Sequence, residues 1–137
     1  MNKLNQLPTT NGAFSAISVY DIDKAIAWYK QYLGFQLESQ GANEHRKGAL
    51  LTRPGAILEI CEFVGATSRE AIQPGLESHQ LFGIFKLGFT TDNLDDTFTF
   101  LEAEGANIFF PIVEASDGNR TFGIKDIEGN IIQFFDQ

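Results

Sequence analysis

The sequence has little cysteine, few basic residues and no long apolar run. Cys61 is the only cysteine among 137 residues, so the chain cannot form an internal disulfide and a reducing compartment is expected. No apolar run approaches the roughly 18 residues that cross a bilayer, and residues 1–13 lack the basic and apolar parts of a signal peptide. We therefore expect a cytoplasmic protein with no membrane partner.

Acidic residues outnumber basic ones by 18 to 10, which gives a formal net charge of -8. No cluster of lysine or arginine interrupts this negative charge, so a nucleic-acid backbone would be repelled. Both histidines, His45 and His79, fall in polar connecting segments and are expected at the surface. The composition thus excludes nucleic acid as a partner and fits a globular protein, because 43% of the residues are hydrophobic.

The segment of residues 19–35 (VYDIDKAIAWYKQYLGF) predicts the end of a strand, a helix and the start of another strand. One face of the predicted helix carries Ile22, Ala25, Ile26, Tyr29 and Leu33. Asp21 stands at the N-cap position, and Gly34 stands where a left-handed residue ends a helix. This helix is expected to pack one face on a sheet.

The remaining pattern predicts two copies of one β-α-β-β-β unit. In the first copy, the strands are predicted at residues 14–20, 35–39, 48–52 and 56–63. In the second copy, a helix at 94–104 accompanies strands at 83–91, 107–113, 120–125 and 131–135. Residues 1–12 are predicted to be a loosely held terminus and residues 65–82 a linker.

The two copies also match residue by residue. A displacement of 72 positions places Ile22 on Leu94, and one of 74 positions places Ile57 on Ile131, with similar residue types around both. Such a match indicates an internal repeat. Neither copy would bury much core alone, so the two sheets must pair within the chain or with a second chain.

We therefore predict the α+β class, with two tandem βαβββ modules. The modules cover residues 13–64 and 83–136 of a single domain, residues 1–137. Together they are expected to form a curved mixed sheet around an open, barrel-like cleft, with the helices on the outside.

Helices cover one face of each predicted sheet, so alternate strand positions face the cleft. Each module is predicted to contribute six lining residues. They are Phe14, Ala16, Ser18, Ile57, Glu59 and Cys61 from the first module, and Lys86, Gly88, Thr90, Ile131, Gln133 and Phe135 from the second. Phe14 and Phe135 are suited to stack on an apolar ligand. Cys61 is either a nucleophile, for which no neighbouring base is evident, or a small buried hydrophobe.

A loop at the predicted cleft mouth, residues 114–119 (EASDGN), is flexible by composition. We expect it to move on ligand binding. Arg120 follows this loop directly and is expected either to meet an anionic part of the ligand or to be an ordinary surface arginine.

Four segments resemble the vicinal oxygen chelate superfamily, which includes glyoxalase I, extradiol dioxygenases, fosfomycin resistance enzymes and bleomycin resistance proteins. The segments are VYDIDKAIAWYKQYLGF, AILEI, LGFTTDNLDD and DIEGNIIQFFD, the last of which is similar to the family's Asp-x-x-Gly-Asn turn. The resemblance extends over residues 13–136 and implies the two-module fold and a homodimer.

The resemblance also carries the family's four metal-ligand positions onto Phe14, Glu59, Lys86 and Gln133. A divalent metal needs three or four oxygen, nitrogen or sulfur donors, whereas Phe14 has none and Lys86 carries a positive charge. We therefore predict no metal and no other cofactor. Lys86 is expected to place its ammonium between the Glu59 carboxylate, which would otherwise lack a partner in the cleft, and the Gln133 amide oxygen, unless Lys86 extends to solvent.

Three functions remain open. The first is a metal-free protein that binds a small, partly apolar molecule in a cleft lined by both modules. The second is a lyase resembling lactoylglutathione lyase, or a dioxygenase, with an altered metal site. The third is a metal-independent enzyme that uses Glu59 as a base and Lys86 to stabilise an oxyanion. The changed ligand set favours the first.

Overall fold

The structure, a computed structural model, describes residues 6–137. Residues 6–12 of the predicted terminus adopt no regular secondary structure, and residues 1–5 lie outside the described residues. No helix in the described part of the chain is both long enough and apolar enough to cross a membrane.

The first module contains four strands and one helix. The strands are β1 (Ser15–Ser18), β2 (Gln36–Ala42), β3 (Arg46–Arg53) and β4 (Ala56–Phe63), and the helix is α1 (Ile22–Leu33). The linker carries a short helix, α2 (Arg69–Ile72), and a 3-10 turn at Ser78–Gln80. The rest of the linker has no regular secondary structure, which agrees with the lack of a helical or strand-like hydrophobic period in its sequence.

The second module repeats this order. Its strands are β5 (Leu87–Thr91), β6 (Asn107–Glu114), β7 (Arg120–Lys125) and β8 (Ile131–Asp136), and its helix is α3 (Leu94–Ala103). Each module therefore has the predicted β-α-β-β-β order.

Each module forms a separate four-stranded mixed sheet, with the orders β1-β4-β3-β2 and β5-β8-β7-β6. The first strand of each module pairs in parallel with the last, and the remaining pairs are antiparallel. This arrangement confirms the α+β class and leaves β1 and β5 at the edges of their sheets.

Three predicted strand boundaries are corrected by the backbone pairing. β2 and β3 extend to a tight hairpin at residues 43–45, where the prediction had a polar connection over residues 41–47. β5 begins only at Leu87, so Lys86 precedes the strand. The pairing with β8 begins at Leu87, opposite Ile132, and does not extend to Lys86, whose side chain donates to Gln133.

Helix α1 buries the predicted face. Its buried residues are Ile22, Ala25, Ile26, Tyr29 and Leu33. The Asp21 side chain accepts a hydrogen bond of 3.1 Å from the Lys24 backbone N–H, which caps the helix. Gly34 ends the helix with φ of 69°, a left-handed conformation that glycine adopts without steric cost.

One buried hydrogen bond joins the two modules. The Tyr29 hydroxyl on α1 donates to Asp126 Oδ2 over 2.6 Å, and Asp126 lies in the turn between β7 and β8. Burial first, and the neighbouring Asp126 carboxylate second, raise the pKa of Tyr29, so the phenol remains a protonated donor. Nearby, the Phe35 and Phe89 rings meet edge to face at 6.2 Å, and the buried core extends through both modules.

Tyr29→Phe should lower the free energy of unfolding by about 1 to 3 kcal/mol, because it removes a donor from a buried carboxylate. The measurement is equilibrium unfolding in urea. Tyr32→Phe is the matched control, since Tyr32 lies on the same helix but is only partly buried. Equal losses in the two variants would show that the hydrogen bond does not stabilise the fold.

Candidate functional site

The face of each sheet that lies opposite its helix is called here the open face. On the open face of the first module, Glu59 of β4 is paired in register with Ala16 of β1 and Leu50 of β3. Cys61, two residues further along β4, is paired with Ser18 and Gly48. The predicted orientation of Glu59 and Cys61 thus agrees with the register.

Glu59, Cys61 and Arg46 form a polar cluster on this face. The Cys61 thiol donates to Glu59 Oε1 at 3.3 Å, and Arg46 Nη1 donates to Cys61 Sγ at 3.3 Å. Arg46 Nη1 also lies 3.9 Å from Glu59 Oε1, which makes a loose ion pair. Burial is the main cause that raises the pKa of Cys61, and the Glu59 carboxylate adds to it, so the thiol is held in its neutral form.

Arg46 is a site residue that the sequence analysis missed. The predicted strand began at residue 48, whereas β3 begins at Arg46 and places it two positions before Gly48 on the same face. Extending the alternation of strand residues from Gly48 by two positions toward the N-terminus would have placed Arg46 on this face. The hairpin residue Asn43 fixes the Arg46 backbone, because Asn43 Oδ1 accepts from Arg46 N–H at 3.0 Å.

A cleft of about 440 Å³ surrounds this cluster. Its lining consists of Ser39, Gln40, Gly41, Ala42, Asn43, Arg46, Gly48, Ala49, Leu50 and Glu59, all from the first module. The cleft is therefore a property of one sheet.

The open face of the second module carries Lys86, Gln133 and Thr121. Lys86 Nζ donates to Gln133 Oε1, and Gln133 Nε2 donates to Thr121 Oγ1 at 2.8 Å. Thr121 in turn donates to the Phe134 carbonyl at 2.7 Å. Lys86 Nζ also lies 5.1 Å from the centroid of the Phe85 ring, in a cation–π contact. Gln133, which is buried, is thus satisfied at both ends of its amide.

The predicted direct pairing of Lys86 with Glu59 is wrong within the described residues of one chain. The cation beside Glu59 is Arg46, whereas Lys86 donates to the Gln133 amide oxygen, the second partner predicted for it. A hairpin that the sequence did not reveal supplies Arg46, and the early position of Lys86 before β5 gives its side chain a nearer acceptor.

A larger cleft, about 730 Å³, lies between the two modules. The first module contributes the end of α1 and the turn that follows β3; the second contributes β5, α3 and β8. Its aromatic lining residues are Tyr32, Phe89, Phe100, Phe134 and Phe135. Of the predicted lining residues, Gly88, Thr90 and Phe135 border this cleft.

Arg53 is the cation of this intermodule cleft. Its guanidinium carbon lies 5.9 Å from the Phe35 centroid and 5.7 Å from the Phe89 centroid. Arg53 Nη1 also donates to the Leu33 carbonyl at the end of α1, at 2.8 Å. Arg53 therefore ties α1 to β5 while lining the cleft.

The remaining predicted site residues lie elsewhere. Phe14 is 67% exposed and borders a small cavity of about 180 Å³ next to Phe89. Arg120 makes a bidentate pair with Asp95, at 3.0 and 2.6 Å, and its hydrogen bonds hold the pKa of the Asp95 carboxyl below its ordinary value. His45 lies at the exposed hairpin turn, 3.3 Å from Glu44.

The residues at the four positions that resemble the family's ligand set do not fit a divalent metal. Phe14 has no donor atom, and the donors of Glu59 and Gln133 are engaged by Cys61 and Lys86. Two cationic side chains, Arg46 and Lys86, lie beside the Glu59 and Gln133 oxygens and would repel a metal ion there. No group of three histidine, cysteine, aspartate or glutamate side chains in residues 6–137 is arranged to hold a metal ion.

The sequence profile of the Glyoxalase/Bleomycin resistance protein/Dioxygenase superfamily matches residues 12–134. A search of curated protein sequences found no match. Among solved structures, a glyoxylase/bleomycin resistance protein/dioxygenase domain from Frankia sp. EAN1pec is similar at 18% identity with a TM-score of 0.75, over 96% of this chain and 93% of that one.

Two further structures show the same fold. TioX from Micromonospora sp. ML1 is 21% identical with a TM-score of 0.65, over 91% of this chain and 98% of that one. A glyoxalase family protein from Enterococcus faecalis is 16% identical with a TM-score of 0.72, over 93% of this chain and 96% of that one. Identities this low establish a shared fold and nothing finer.

Glu59→Gln should speed the reaction of Cys61 with iodoacetamide near pH 8 severalfold, because a carboxylate that raises the thiol pKa is removed. The rate is measured by mass spectrometry of the alkylated protein. Glu62→Gln is the control, since Glu62 lies on the same strand but pairs with Lys47 at 3.5 Å. A rate unchanged by Glu59→Gln would mean that Glu59 does not influence the thiol.

Proposed function

Because this chain belongs to the Glyoxalase/Bleomycin resistance protein/Dioxygenase superfamily, we propose that it is a metal-free binding protein for a small, partly apolar molecule. The observation that carries the proposal is the cleft of about 730 Å³ lined by both modules. Its volume falls within the range of small-molecule sites, roughly 300 to 1,000 Å³.

The chemistry of this cleft suits a ligand with an apolar body and a few polar groups. Phe100 is 50% exposed and Phe135 is partly buried, so both rings can contact a ligand. Thr90 and Thr97 supply hydroxyl groups, and Arg53 supplies a cation. An aromatic lining with a small number of polar groups is typical of ligand sites.

The two enzymatic alternatives have no specific observation in their favour. A metal-dependent lyase or dioxygenase needs a ligand set that the residues at the four family positions do not supply. A metal-independent enzyme would use Glu59 and Lys86 together, whereas Glu59 contacts Arg46 and Cys61. We therefore retain the binding function as the proposal.

The probe for this proposal is anilinonaphthalene sulfonate, an apolar anion whose fluorescence rises in apolar sites. We expect saturable, stoichiometric binding that Phe135→Ala weakens, because the ring lines the cleft. Phe109→Ala is the matched control, since Phe109 is 45% exposed and lies outside the lining. Metabolites that displace the probe are then candidate ligands. Absence of saturable binding, or equal weakening by both variants, would contradict the proposal.

We further propose one domain that forms a homodimer in a reducing, cytoplasmic setting. Support for association comes from the end of the linker, where Phe82 is 111% and Ile84 is 86% exposed. Large apolar side chains exposed side by side favour burial against a partner. The free edges of β1 and β5 add unpaired backbone groups that a second copy can cover.

Light scattering at micromolar concentration should give the mass of a dimer, and Ile84→Asp should shift it toward the monomer because a carboxylate is costly to bury in an interface. Ser116→Asp adds the same charge at an exposed position of the loop before β7 and should leave the mass unchanged. A wild-type monomer would argue against association.

A further inference from the structure

We infer that the open face of the first module is a second binding site, which takes a planar ring bearing a single carboxylate and recognises that carboxylate through Arg46. This site is the cleft of about 440 Å³ on β2, β3 and β4, separate from the intermodule cleft. It rests on four features of one sheet: a floor without side chains, a fixed arginine, free donor groups and a polar rim.

The floor consists of two glycines that face each other across neighbouring strands. Gly41 of β2 is paired in register with Gly48 of β3, and Gly48 is paired with Cys61 of β4. Directly paired residues point to the same face of a sheet, so two side chains are missing side by side. The result is a flat trough of exposed backbone, in which glycine permits close approach of another group.

Arg46 occupies one part of this trough. The position of a Cβ on Gly48 would lie 3.7 Å from Arg46 Nη1 and 3.8 Å from Cζ, so the guanidinium lies directly over Gly48. Over Gly41, by contrast, an added Cβ would meet no atom within 4 Å. The floor beside the guanidinium is therefore open and flat, so a planar group fits on it.

The guanidinium has donors left for a ligand. Nη1 is directed to Cys61 and lies near Glu59, but the hydrogen bonds and ion pairs of residues 6–137 give no protein acceptor to Nη2 or Nε of Arg46. The side chain is 45% exposed, and the hairpin fixes its backbone through Asn43. A planar guanidinium whose Nε and Nη2 donors share one free edge matches the geometry of a carboxylate.

The charges favour a single carboxylate over a phosphate. Glu59 lies 3.9 Å from Arg46, and the chain has a net charge of -8, so a dianion would meet more repulsion than a monoanion. Ser39 and Gln40 at the rim offer polar groups for the rest of the ligand. The ligand class is thus a flat, aromatic or conjugated monocarboxylate.

The test uses naphthalene carboxylate and its uncharged counterpart naphthalene carboxamide, with dissociation constants from NMR titration of the whole chain. We expect the carboxylate to bind more tightly than the carboxamide. Arg46→Met should weaken carboxylate binding by about 10- to 100-fold, because a charge-assisted hydrogen bond is lost, and should leave carboxamide binding unchanged. Arg46→Lys should give an intermediate result, since it keeps the charge and loses the planar fork.

Two further variants separate the site from general electrostatics. Gly41→Leu should abolish binding by filling the trough, and its backbone is not in the left-handed region, so the fold should tolerate the change. Lys47→Met removes a neighbouring positive charge that is paired with Glu62 and should leave binding unchanged. Thermal melting of each variant checks that it is folded.

Four results would overturn the inference. The first three are equal affinity for the carboxylate and the carboxamide, no weakening in Arg46→Met, and no carboxylate binding to the wild type at millimolar concentration. Carboxylate binding that depends on Phe135 and not on Arg46 would also overturn it, while supporting the intermodule cleft as the binding site. The experiment therefore distinguishes a failure of this proposal from a failure of the proposed intermodule site.

Discussion

The fold depends on the buried hydrogen bond between Tyr29 and Asp126, which lie 97 residues apart in the chain. Asp126 also accepts from the backbone N–H groups of Glu128 and Asn130, at 2.9 and 2.8 Å, so one carboxylate orders its own turn and receives the helix of the other module. A buried carboxylate without these donors would be costly. The bond, together with the Phe35–Phe89 contact, therefore joins the two modules beside the cleft between them.

The polar acceptors on the two open faces also need hydrogen-bond or ionic partners, and here the partners are cationic side chains. Glu59 and Gln133 occupy positions that resemble metal ligands, and each has an acceptor that must be satisfied near an apolar sheet surface. A cationic side chain meets each acceptor, Arg46 in the first module and Lys86 in the second. Side chains thus supply positive charge at both acceptors, which supports the proposed binding of polar or anionic groups.

Hydrophobic periodicity predicted the features that depend on burial along a single helix or strand. It failed for the features that depend on which strands pair with each other. The buried face of α1 and the whole of β4 follow from apolar spacing, because an apolar stripe must be buried wherever the element lies. Arg46 falls in a polar run that is typical of a loop, and only pairing with β4 makes it a strand residue. The partner of Lys86 likewise depends on where β5 begins, which its pairing with β8 sets. Sequence alone thus found Glu59, Gln133 and the contact of Lys86 with Gln133, but not Arg46 as the partner of Glu59.

The claim that side-chain cations have replaced a metal is tested most directly by calorimetric titration of the purified protein with Zn²⁺, Ni²⁺ and Mn²⁺ at neutral pH. The account predicts no stoichiometric binding at micromolar concentration, since Arg46 and Lys86 repel a divalent cation at the positions of Glu59 and Gln133. Stoichiometric binding that Glu59→Gln abolishes would contradict it, because the carboxylate would then be a metal ligand.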